Sequence, residues 1–245
     1  MLDVLYEDNH LLIVNKPAQL PTMGVAEDVP SLLTVAKDYI RRKYHKPGNV
    51  YLGVVSRLDA PVTGVVLLAR TSKAAGRLSE QFRERDVEKL YWALVCGHVS
   101  PADGQLVNYV RKDERHRRMH IVNEMGRDSQ RAELSYQVVA TEDNAARSQL
   151  HPRPDAASPS LSRRIGPLSL LEVSLHTGRK HQIRIQLSHA GHPIVGDRKY
   201  GSLVPFSPGI ALHSRRLVVE HPVTKRSLAI EAPLPASWHR LCTLR

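Results

Sequence analysis

This 245-residue chain has few cysteines, few aromatic side chains and no long apolar run. Its two cysteines, Cys96 and Cys242, lie far apart, so a disulfide framework and a thiolate zinc site are not expected. Cys96 lies within an apolar run, which predicts a buried and unreactive thiol. No apolar run approaches the roughly 20 residues that a membrane-spanning helix needs, and the N-terminus lacks a signal-peptide profile. We therefore expect a cytoplasmic protein without membrane attachment.

Acidic residues are also in short supply relative to basic ones. The chain has 24 Asp and Glu against 35 Lys and Arg, which gives a formal net charge of +11. An excess of this size favours a polyanionic partner, because positive charge steers association and releases counterions from phosphates. A generally basic, solvated surface is the alternative. The basic residues cluster in segments of the sequence, however, and this favours a nucleic-acid footprint.

The periodicity along the chain predicts a mixed α+β protein. Short alternating or continuous apolar runs predict strands, and apolar residues at helical spacing predict three helices. Ser31 and Ser72 are the expected N-caps of the first two helices, and Gly191 is expected to close a third helix over 182–189. Because the strands follow one another in meanders with a few helices between them, an α+β protein is expected and not an alternating parallel one. The length suits one large domain or two closely packed lobes, and we expect a single domain over 1–245. The Ala-, Ser-, Pro- and Arg-rich segment 144–167 predicts a long mobile loop.

Ser56-Arg57-Leu58-Asp59 is the first candidate site. It lies between two apolar runs, 51–55 and 65–69, which predict buried strands on either side of a turn. A carboxylate at this position is costly unless a partner stabilises it, and Arg57 is expected on the same strand face as Asp59. For these residues alone, a structural ion pair or a turn-capping aspartate is the more common outcome.

A second candidate site is the basic segment that opens the predicted third helix. It contains Arg179, Lys180, His181 and Arg184. Positive side chains at a helix N-terminus oppose the helix dipole, so an anionic partner is expected, either a phosphate or a buried carboxylate. Arg184 shares a helix face with apolar residues, and a buried arginine needs a carboxylate, for which Asp59 is the candidate. An ordinary basic helix start is the alternative.

Two further segments have the composition of an RNA-binding surface. One is the charge run from Arg111 to Arg118, whose basic members are Arg111, Lys112, Arg115, Arg117 and Arg118. Flanking strands would present this run at a hairpin tip suited to a phosphate backbone, although a solvated face is the common outcome for such runs. The other is Tyr91-Trp92, for which core packing is the default, although a tyrosine ring can also stack on an extruded base. The pair His116 and His120 is not expected to bind a metal, because the arginines between them repel cations.

Seven short motifs follow one another along nearly the whole chain. They are Tyr6-Glu7-Asp8 with Asn15-Lys16-Pro17, Arg57-Leu58-Asp59 with Thr63-Gly64, Lys89-Leu90-Tyr91-Trp92-Ala93-Leu94-Val95, Thr177-Gly178-Arg179 with His181-Gln182-Ile183-Arg184, Gly191-His192-Pro193-Ile194-Val195-Gly196-Asp197 with Tyr200-Gly201, Leu212-His213, and His221-Pro222-Val223-Thr224 with Ala232-Pro233-Leu234. In this order and spacing they resemble the RluA-type family of RNA pseudouridine synthases. Each motif is weak alone, but the ordered set is very specific.

The resemblance implies a pseudouridine synthase fold, a bent, mostly antiparallel sheet with a central RNA-binding cleft. It implies that Asp59 is the essential catalyst, that Tyr91 packs on a flipped uridine and assists proton removal, and that Arg184 pairs with Asp59. It also implies that Arg57 enters the RNA stack as the uridine leaves it. The isomerisation of uridine to pseudouridine needs neither a cofactor nor a metal, and structured ribosomal or transfer RNA is the implied partner.

The chain departs from the family pattern in three places. Ser56 stands where the family usually has histidine, and Ala60-Pro61-Val62 replaces a commonly charged segment. The small N-terminal RNA-binding domain of many relatives is not expected here, and we expect a monomer. A non-catalytic RNA-binding relative of the same fold is the alternative function. Together, Asp59, Tyr91 and Arg184 favour the enzyme, since a pure binder needs no carboxylate aimed at an anionic ligand.

Overall fold

The computed structural model describes residues 2–26, 28–116, 118–142 and 166–238. Its strands are β1 (Val4–Glu7), β2 (Leu11–Lys16), β3 (Gly53–Val54), β4 (Thr63–Ala69), β5 (Glu88–Cys96), β6 (Asp103–Asp113), β7 (Arg118–Val122), β8 (Ser129–Glu142), β9 (Leu168–Leu175), β10 (Leu212–Glu220) and β11 (Ser227–Glu231). Its helices are α1 (Leu32–Lys43), α2 (Ser72–Glu84) and α3 (Gln182–His189), and a 3-10 turn spans Arg198–Tyr200. The strands and helices confirm the predicted α+β class.

The chain divides into two compact units. The first contains residues 1–91 and 213–236, and the second contains residues 92–212 and 237–245. Strand β5 belongs to both, since the boundary falls between Tyr91 and Trp92.

The first unit is built on a mixed sheet with the strand order β1-β2-β4-β10. Strand β11 pairs with β10 and β3 pairs with β4, and all of these pairings are antiparallel except that of β4 with β10. Strand β4 is buried along its whole length. A continuous apolar run of this kind suits a strand that is covered on both faces. Leu67 of β4 and Leu78 of α2 lie in the same core cluster.

The helices of the first unit begin close to the predicted positions. Ser31 is the N-cap of α1, and its hydroxyl accepts a hydrogen bond from the Thr34 amide while the Thr34 hydroxyl accepts one from the Ser31 amide. The predicted cap of α2 was wrong by one residue. Thr71 is the N-cap, and its hydroxyl accepts from the Ala74 amide, so Ser72 is the first helical residue. Threonine can fill this role because, like serine, it places a hydroxyl within reach of the free amides.

The second unit contains an antiparallel sheet with the order β9-β8-β6-β7. On one face of this sheet, Val110, Met119 and Ala132 form a small buried cluster against Ile185 of α3. Helix α3 is also tied to the sheet by Gln186, whose amide donates to the Leu106 and Ala132 carbonyl oxygens. The predicted helix over 182–189 is confirmed, and Gly191 follows it in the left-handed conformation, with φ of 89°.

Several predictions differ from the structure. The strand expected over 51–55 is limited to Gly53–Val54, because after Val54 the regular ladder stops and the amides of Val55 and Ser56 share one acceptor, the Leu67 carbonyl oxygen of β4. Cys96 is only partly buried. The predicted loop at 144–167 lies outside the described residues, apart from Gly166 and Pro167. Within the described ranges, none of the helices is long and apolar enough to cross a membrane.

Candidate active site

Asp59 lies in a loop between β3 and β4 of the first unit. The loop runs from Val55 to Val62, and a turn hydrogen bond from the Val62 amide to the Asp59 carbonyl oxygen closes its second half at 3.0 Å. The expectation that Arg57 and Asp59 share a strand face was wrong, because both lie in the loop and not in a strand. Arg57 is exposed and Asp59 is half-buried. An exposed arginine beside a half-buried carboxylate is available to a large anionic ligand.

The backbone immediately before Asp59 is held by a buried threonine. The Thr22 hydroxyl donates to the Leu58 carbonyl oxygen at 2.8 Å and accepts from the Leu58 amide at 3.1 Å. Thr22 is 4% exposed, so water does not compete for these bonds. Both polar groups of one loop residue are therefore satisfied by a single side chain, which fixes the peptide planes on either side of Leu58.

The backbone immediately after Asp59 is held by Lys16 at the end of β2. The Lys16 ammonium donates to the carbonyl oxygens of Pro17, Leu20 and Ala60 at 2.8, 2.8 and 3.1 Å. The side chain is completely buried, and burial lowers the pKa of Lys16 to about 8, while the negative charge of Asp59 opposes this shift. The electrostatic effect of Asp59 on Lys16 shows that a positive charge lies near the carboxylate.

Ser56, where the family usually has histidine, has a structural role at the start of the loop. Its hydroxyl accepts a hydrogen bond from the Leu67 amide at 2.9 Å, and the amides of Val55 and Ser56 both donate to the Leu67 carbonyl oxygen. The Ser56 side chain thus takes the place of a strand partner for β4 where β3 has ended. Although serine stands here in place of the family's usual histidine, the Ser56 hydroxyl still anchors the start of the Asp59 loop to β4.

The exit from the loop is anchored by the close approach of β4 to β10. The Thr63 hydroxyl and His213 Nδ1 lie 2.7 Å apart, and both groups are buried. His213 Nε2 lies 3.3 Å from the Ala232 carbonyl oxygen, and burial lowers the pKa of His213 to about 4. At Gly64, with φ of 111°, a Cβ would lie 2.2 Å from the Ser214 carbonyl oxygen, so only glycine fits there. The Thr63-Gly64 motif is therefore explained by packing.

Tyr91 is the second predicted catalytic residue of the first unit. Burial raises the pKa of its phenol to about 12, the Asp59 charge adds to this, and a hydrogen bond with Ser214 acts in the opposite direction. Tyr91 and Asp59 therefore influence each other electrostatically, as Lys16 and Asp59 do. The structure thus brings Asp59, Lys16 and Tyr91 into one neighbourhood of the first unit, and the Tyr91 phenol is neutral at neutral pH.

The basic segment before α3 has its own local structure in the second unit. His181 is the N-cap of α3 and adopts the left-handed conformation, with φ of 53°. The side-chain amide oxygen of Gln182 accepts from the Arg179 amide at 2.9 Å and from the Thr177 hydroxyl at 2.8 Å, which ties together the turn that precedes α3. The Arg179 guanidinium donates to the Arg131 carbonyl oxygen, and Lys180 is exposed. The segment is therefore a fixed turn that presents cations.

Arg184 points into the second unit, as its helix face predicts. Arg184 and Asp197 are both buried, and the guanidinium donates to both oxygens of the Asp197 carboxylate, from Nε at 2.6 Å and from Nη2 at 2.9 Å. The carboxylate required by a buried arginine is therefore present in Asp197, which was not predicted as a functional residue. The pairing of Arg184 with Asp59 stays a prediction.

The charge run 111–118 lies at a hairpin, as expected. Arg111 and Lys112 are exposed at the end of β6, Arg115 lies in the turn and Arg118 begins β7. Asp113 fixes the turn, because its carboxylate accepts from the His116 amide at 3.0 Å and contacts His116 Nδ1 at 2.7 Å. These bonds lower the pKa of Asp113. Arg117 lies outside the described residues.

Four residues that hold predicted site residues or their loops in place were not themselves predicted as functional: Lys16, Thr22 and His213 in the first unit, and Asp197 in the second. Lys16, Asp197 and His213 lie within the family motifs, so the motifs marked these three residues but did not indicate what each of them does. Nothing in the sequence marked Thr22, since a single threonine in a loop is common. In the part of the chain that the structure describes, no group of three or more His, Cys, Asp or Glu side chains is arranged to hold a metal ion.

Comparison with known proteins is consistent with this geometry. Residues 10–189 match the family model described as RNA pseudouridylate synthase. The chain is 34% identical over 240 residues to the dual-specificity RNA pseudouridine synthase RluA of Escherichia coli K12, covering 95% of this chain and 93% of the relative. It is 34% identical over 249 residues to an uncharacterized RNA pseudouridine synthase of Synechocystis, covering 98% of this chain and 68% of the relative.

The fold has the same relatives. Among solved structures, the human RNA pseudouridylate synthase domain containing 4 superposes with a TM-score of 0.73 at 25% identity, covering 98% of this chain and 92% of that one. The sequence resemblance and the expected fold are both confirmed by these matches. The chain therefore belongs to the RNA pseudouridine synthases, a family of isomerases that modify RNA.

Proposed function

We propose that this protein isomerises specific uridines to pseudouridine in structured ribosomal or transfer RNA, with Asp59 as the catalytic residue. The observation that carries the proposal is the clamped loop around Asp59. Buried Thr22 holds Leu58 on one side, and buried Lys16 holds Ala60 on the other. A carboxylate whose two neighbours are both fixed can be held in one orientation against a reacting atom, and such positioning lowers the barrier of a chemical step.

The reaction balances without any external reagent. The glycosidic bond from ribose C1′ to uracil N1 breaks, a bond from C1′ to uracil C5 forms, the C5 proton leaves and N1 gains a proton. Asp59 is proposed to act on the ribose as nucleophile or base. Lys16 keeps positive charge near the carboxylate, and the electrostatic effect of Asp59 on Lys16 supports this assignment.

The proposed role of Tyr91 is to pack on the extruded uridine. Tyr91 as a whole is half-buried. Its phenol, whose pKa burial raises to about 12, stays protonated, so the residue offers an aromatic face and a neutral hydroxyl near Asp59. Arg57, exposed in the same loop, is proposed to enter the RNA stack when the uridine leaves. Arg184 is proposed as the third catalytic residue, through a charge pair with Asp59.

RNA binding is proposed for two basic segments of the second unit. The residues are Arg179, Lys180 and His181 before α3, and Arg111, Lys112, Arg115, Arg117 and Arg118 of the hairpin. Exposed cations on a fixed turn and on a hairpin suit contacts with phosphates, which position an RNA without reading its sequence. A single catalytic domain over 1–245, a monomeric state, a cytoplasmic location and independence of any cofactor stay predictions.

The test uses the loss of hydrogen from uracil C5. Ribosomal and transfer RNA pools from a strain lacking the gene, labelled with tritium at uridine C5, are incubated with the purified full chain, and release of tritium to water is measured. We expect release by the wild type from at least one pool, and none by Asp59→Ala or Asp59→Asn. Asp38→Asn, an exposed aspartate on α1, is the matched control and retains full activity.

Either of two outcomes would contradict the proposal. Wild-type release by Asp59→Asn would remove Asp59 from catalysis. RNA binding without any release by the wild type, from either pool, would favour the non-catalytic RNA-binding relative instead.

A further inference from the structure

Tyr200 lies where three segments of the second unit meet. It ends the 3-10 turn Arg198–Tyr200 and is 6% exposed. Its side chain contacts Met119 of β7, the N-cap of α3 and Arg184. Strand β7 belongs to the hairpin proposed to bind RNA, and Arg184 is proposed to act in catalysis. Tyr200 therefore touches a proposed binding element and a proposed catalytic residue at once.

The hydroxyl of Tyr200 joins the hairpin to the start of α3. The Met119 amide donates to Tyr200 Oη at 3.0 Å, and both groups are buried. His181 Nδ1 lies 2.7 Å from the same oxygen, and the two rings meet edge to face with centroids 5.7 Å apart. Oη accepts from the Met119 amide, and the tautomer of His181 decides which atom donates in the second contact. One hydroxyl thus holds an edge strand and the left-handed N-cap residue together.

The ring of Tyr200 supports Arg184. The guanidinium carbon of Arg184 lies 5.0 Å from the ring centroid, within the range of a cation–π interaction. The same guanidinium is held edge-on by both carboxylate oxygens of Asp197. With a carboxylate on its edge and an aromatic ring on its face, the planar group has little freedom to turn.

The backbone around Tyr200 makes this arrangement rigid. The Tyr200 amide donates to the Asp197 carbonyl oxygen at 3.1 Å, so the two residues that hold Arg184 belong to one turn. The Tyr200 carbonyl oxygen accepts from the Ser188 hydroxyl of α3 at 2.6 Å. The turn, the helix that carries Arg184 and the hairpin strand are therefore connected through one residue.

We propose that Tyr200 is a positioning residue with two separable roles. Its hydroxyl holds the β6–β7 hairpin and the basic turn before α3 in the arrangement that binds RNA, and its ring orients the Arg184 guanidinium for catalysis. This inference rests on the proposed function, since it assigns RNA binding to the hairpin and catalysis to Arg184. It predicts that removing the hydroxyl and removing the ring change different kinetic quantities.

The experiment compares Tyr200→Phe, which loses only the hydroxyl, with Tyr200→Leu, which also loses the ring. Tritium release from the labelled RNA pools gives the maximal rate and the half-saturating RNA concentration. We expect Tyr200→Phe to raise the half-saturating concentration about fivefold, the scale of one net hydrogen bond, with the maximal rate within about twofold of wild type. We expect Tyr200→Leu to lower the maximal rate about tenfold or more.

Two hydrogen-exchange measurements report on the contacts of Tyr200 with Met119 and Arg184 and do not depend on catalytic activity. Hydrogen exchange of the Met119 amide, measured by NMR, should accelerate in both variants, whereas exchange of the Arg184 Nε proton should accelerate only in Tyr200→Leu. Tyr136→Phe is the matched control, because its hydroxyl reaches the Pro101 carbonyl oxygen at 3.4 Å on another part of the same sheet. It should change neither kinetics nor exchange at Met119 and Arg184.

Equal losses of maximal rate in both variants would mean a merely structural role and would overturn the proposal. So would unchanged RNA saturation and unchanged Met119 exchange in folded Tyr200→Phe. If the wild type releases no tritium, the proposed function fails separately. The inference is then judged by Met119 and Arg184 exchange and by RNA affinity, and no change in these for Tyr200→Phe and Tyr200→Leu would overturn it.

Discussion

The ammonium of Lys16 donates a hydrogen bond of 3.1 Å to the carbonyl oxygen of Ala60, the residue directly after Asp59. Lys16 is completely buried and also donates to the carbonyl oxygens of Pro17 and Leu20. One side chain therefore joins the end of β2 to the Asp59 loop. A buried charge is costly, and hydrogen bonds to these carbonyl oxygens together with the nearby Asp59 charge make it tolerable.

Replacing Lys16 by methionine should lower the rate and alter its dependence on pH. Burial lowers the pKa of Lys16 to about 8, so the wild-type rate should fall as pH rises through about 8, when the amine loses a proton that its carbonyl partners need. Lys16→Met should be about tenfold slower or more and lack that inflection. Tritium release from pH 6 to about 10 measures both. The same inflection in Lys16→Met would assign it to another group.

The stability of the wild type should change in the opposite direction over this range. The pKa of Lys16 is about 8 in the folded protein and 10.5 ordinarily, so between these values the unfolded chain binds the proton and the folded protein does not. The Lys16 contribution to the free energy of unfolding therefore rises with pH across this window. Urea titrations of wild type and Lys16→Met would separate this contribution from those of other groups.

Thr22→Val should destabilise the protein and slow the reaction. Valine keeps the shape of threonine but leaves the buried amide and carbonyl oxygen of Leu58 without their partner, which costs about 1–3 kcal/mol. Thr22→Ser keeps the hydroxyl and is the matched control. Urea unfolding gives the free energy, and tritium release at equal folded concentration gives the rate. Equal values for the valine and serine variants would show that the hydroxyl does not position the Asp59 loop.

The Arg184 and Asp197 pair should show strong coupling. Asp197→Ala leaves the buried Arg184 guanidinium without its carboxylate and should cost about 3–5 kcal/mol of stability. Arg184→Ala leaves the buried Asp197 carboxylate without its guanidinium and should cost about the same. The double variant should lose clearly less than the sum, because no buried charge is left unpaired. Arg184→Ala should also abolish tritium release at temperatures where it is folded. Additive losses of stability would contradict the coupling of Arg184 with Asp197. A normal rate in Arg184→Ala would contradict the proposed role of Arg184 in catalysis.

His213 should make stability dependent on pH on the acid side of neutrality. Burial lowers its pKa from 6.5 to about 4, so between these values the unfolded chain binds a proton that the folded protein excludes. The free energy of unfolding therefore falls as pH falls from about 6.5 to 4, by at most about 3 kcal/mol for this group. In His213→Asn, which keeps a neutral polar side chain, that part of the slope should be missing. Urea titrations at pH 4, 5, 6 and about 7 measure it.

Neutralising the hairpin should weaken the salt dependence of RNA binding. Replacing Arg115, Arg117 and Arg118 by glutamine should lower the slope of log affinity against log salt by about 0.7 to 0.9 for each phosphate that the hairpin no longer neutralises. Arg41, Arg42 and Lys46, which are exposed in and after the last turn of α1, provide a control that removes the same charge elsewhere. An unchanged slope in the hairpin variant, or equal changes in both, would show that the run is only a charged surface.

The position of Asp59 shows how far sequence information reached. The ordered motifs identified the family, because chemistry constrains side-chain type at fixed places in the chain, and the local context of Asp59 makes it the residue proposed for catalysis. The α3 helix and its buried arginine were likewise predicted, since helical periodicity is local. The caps of α1 and α2 were predicted to within one residue, because serine and threonine hydroxyls can both serve that role and Thr71 and Ser72 are neighbours.

Long-range partners were decided only by tertiary structure. Lys16 bonds to Ala60, 44 residues away, and Thr22 bonds to Leu58, 36 residues away, and both contacts depend on how β2 and the chain after it return beside the Asp59 loop. That Asp197 pairs with Arg184 and that Tyr200 joins it to Met119 depends on a 3-10 turn meeting α3 and an edge strand. Sequence by itself determined which groups must find partners, since burial makes an unpaired charge or amide costly. Only packing decided which partners they found, because proximity in space does not follow distance along the chain.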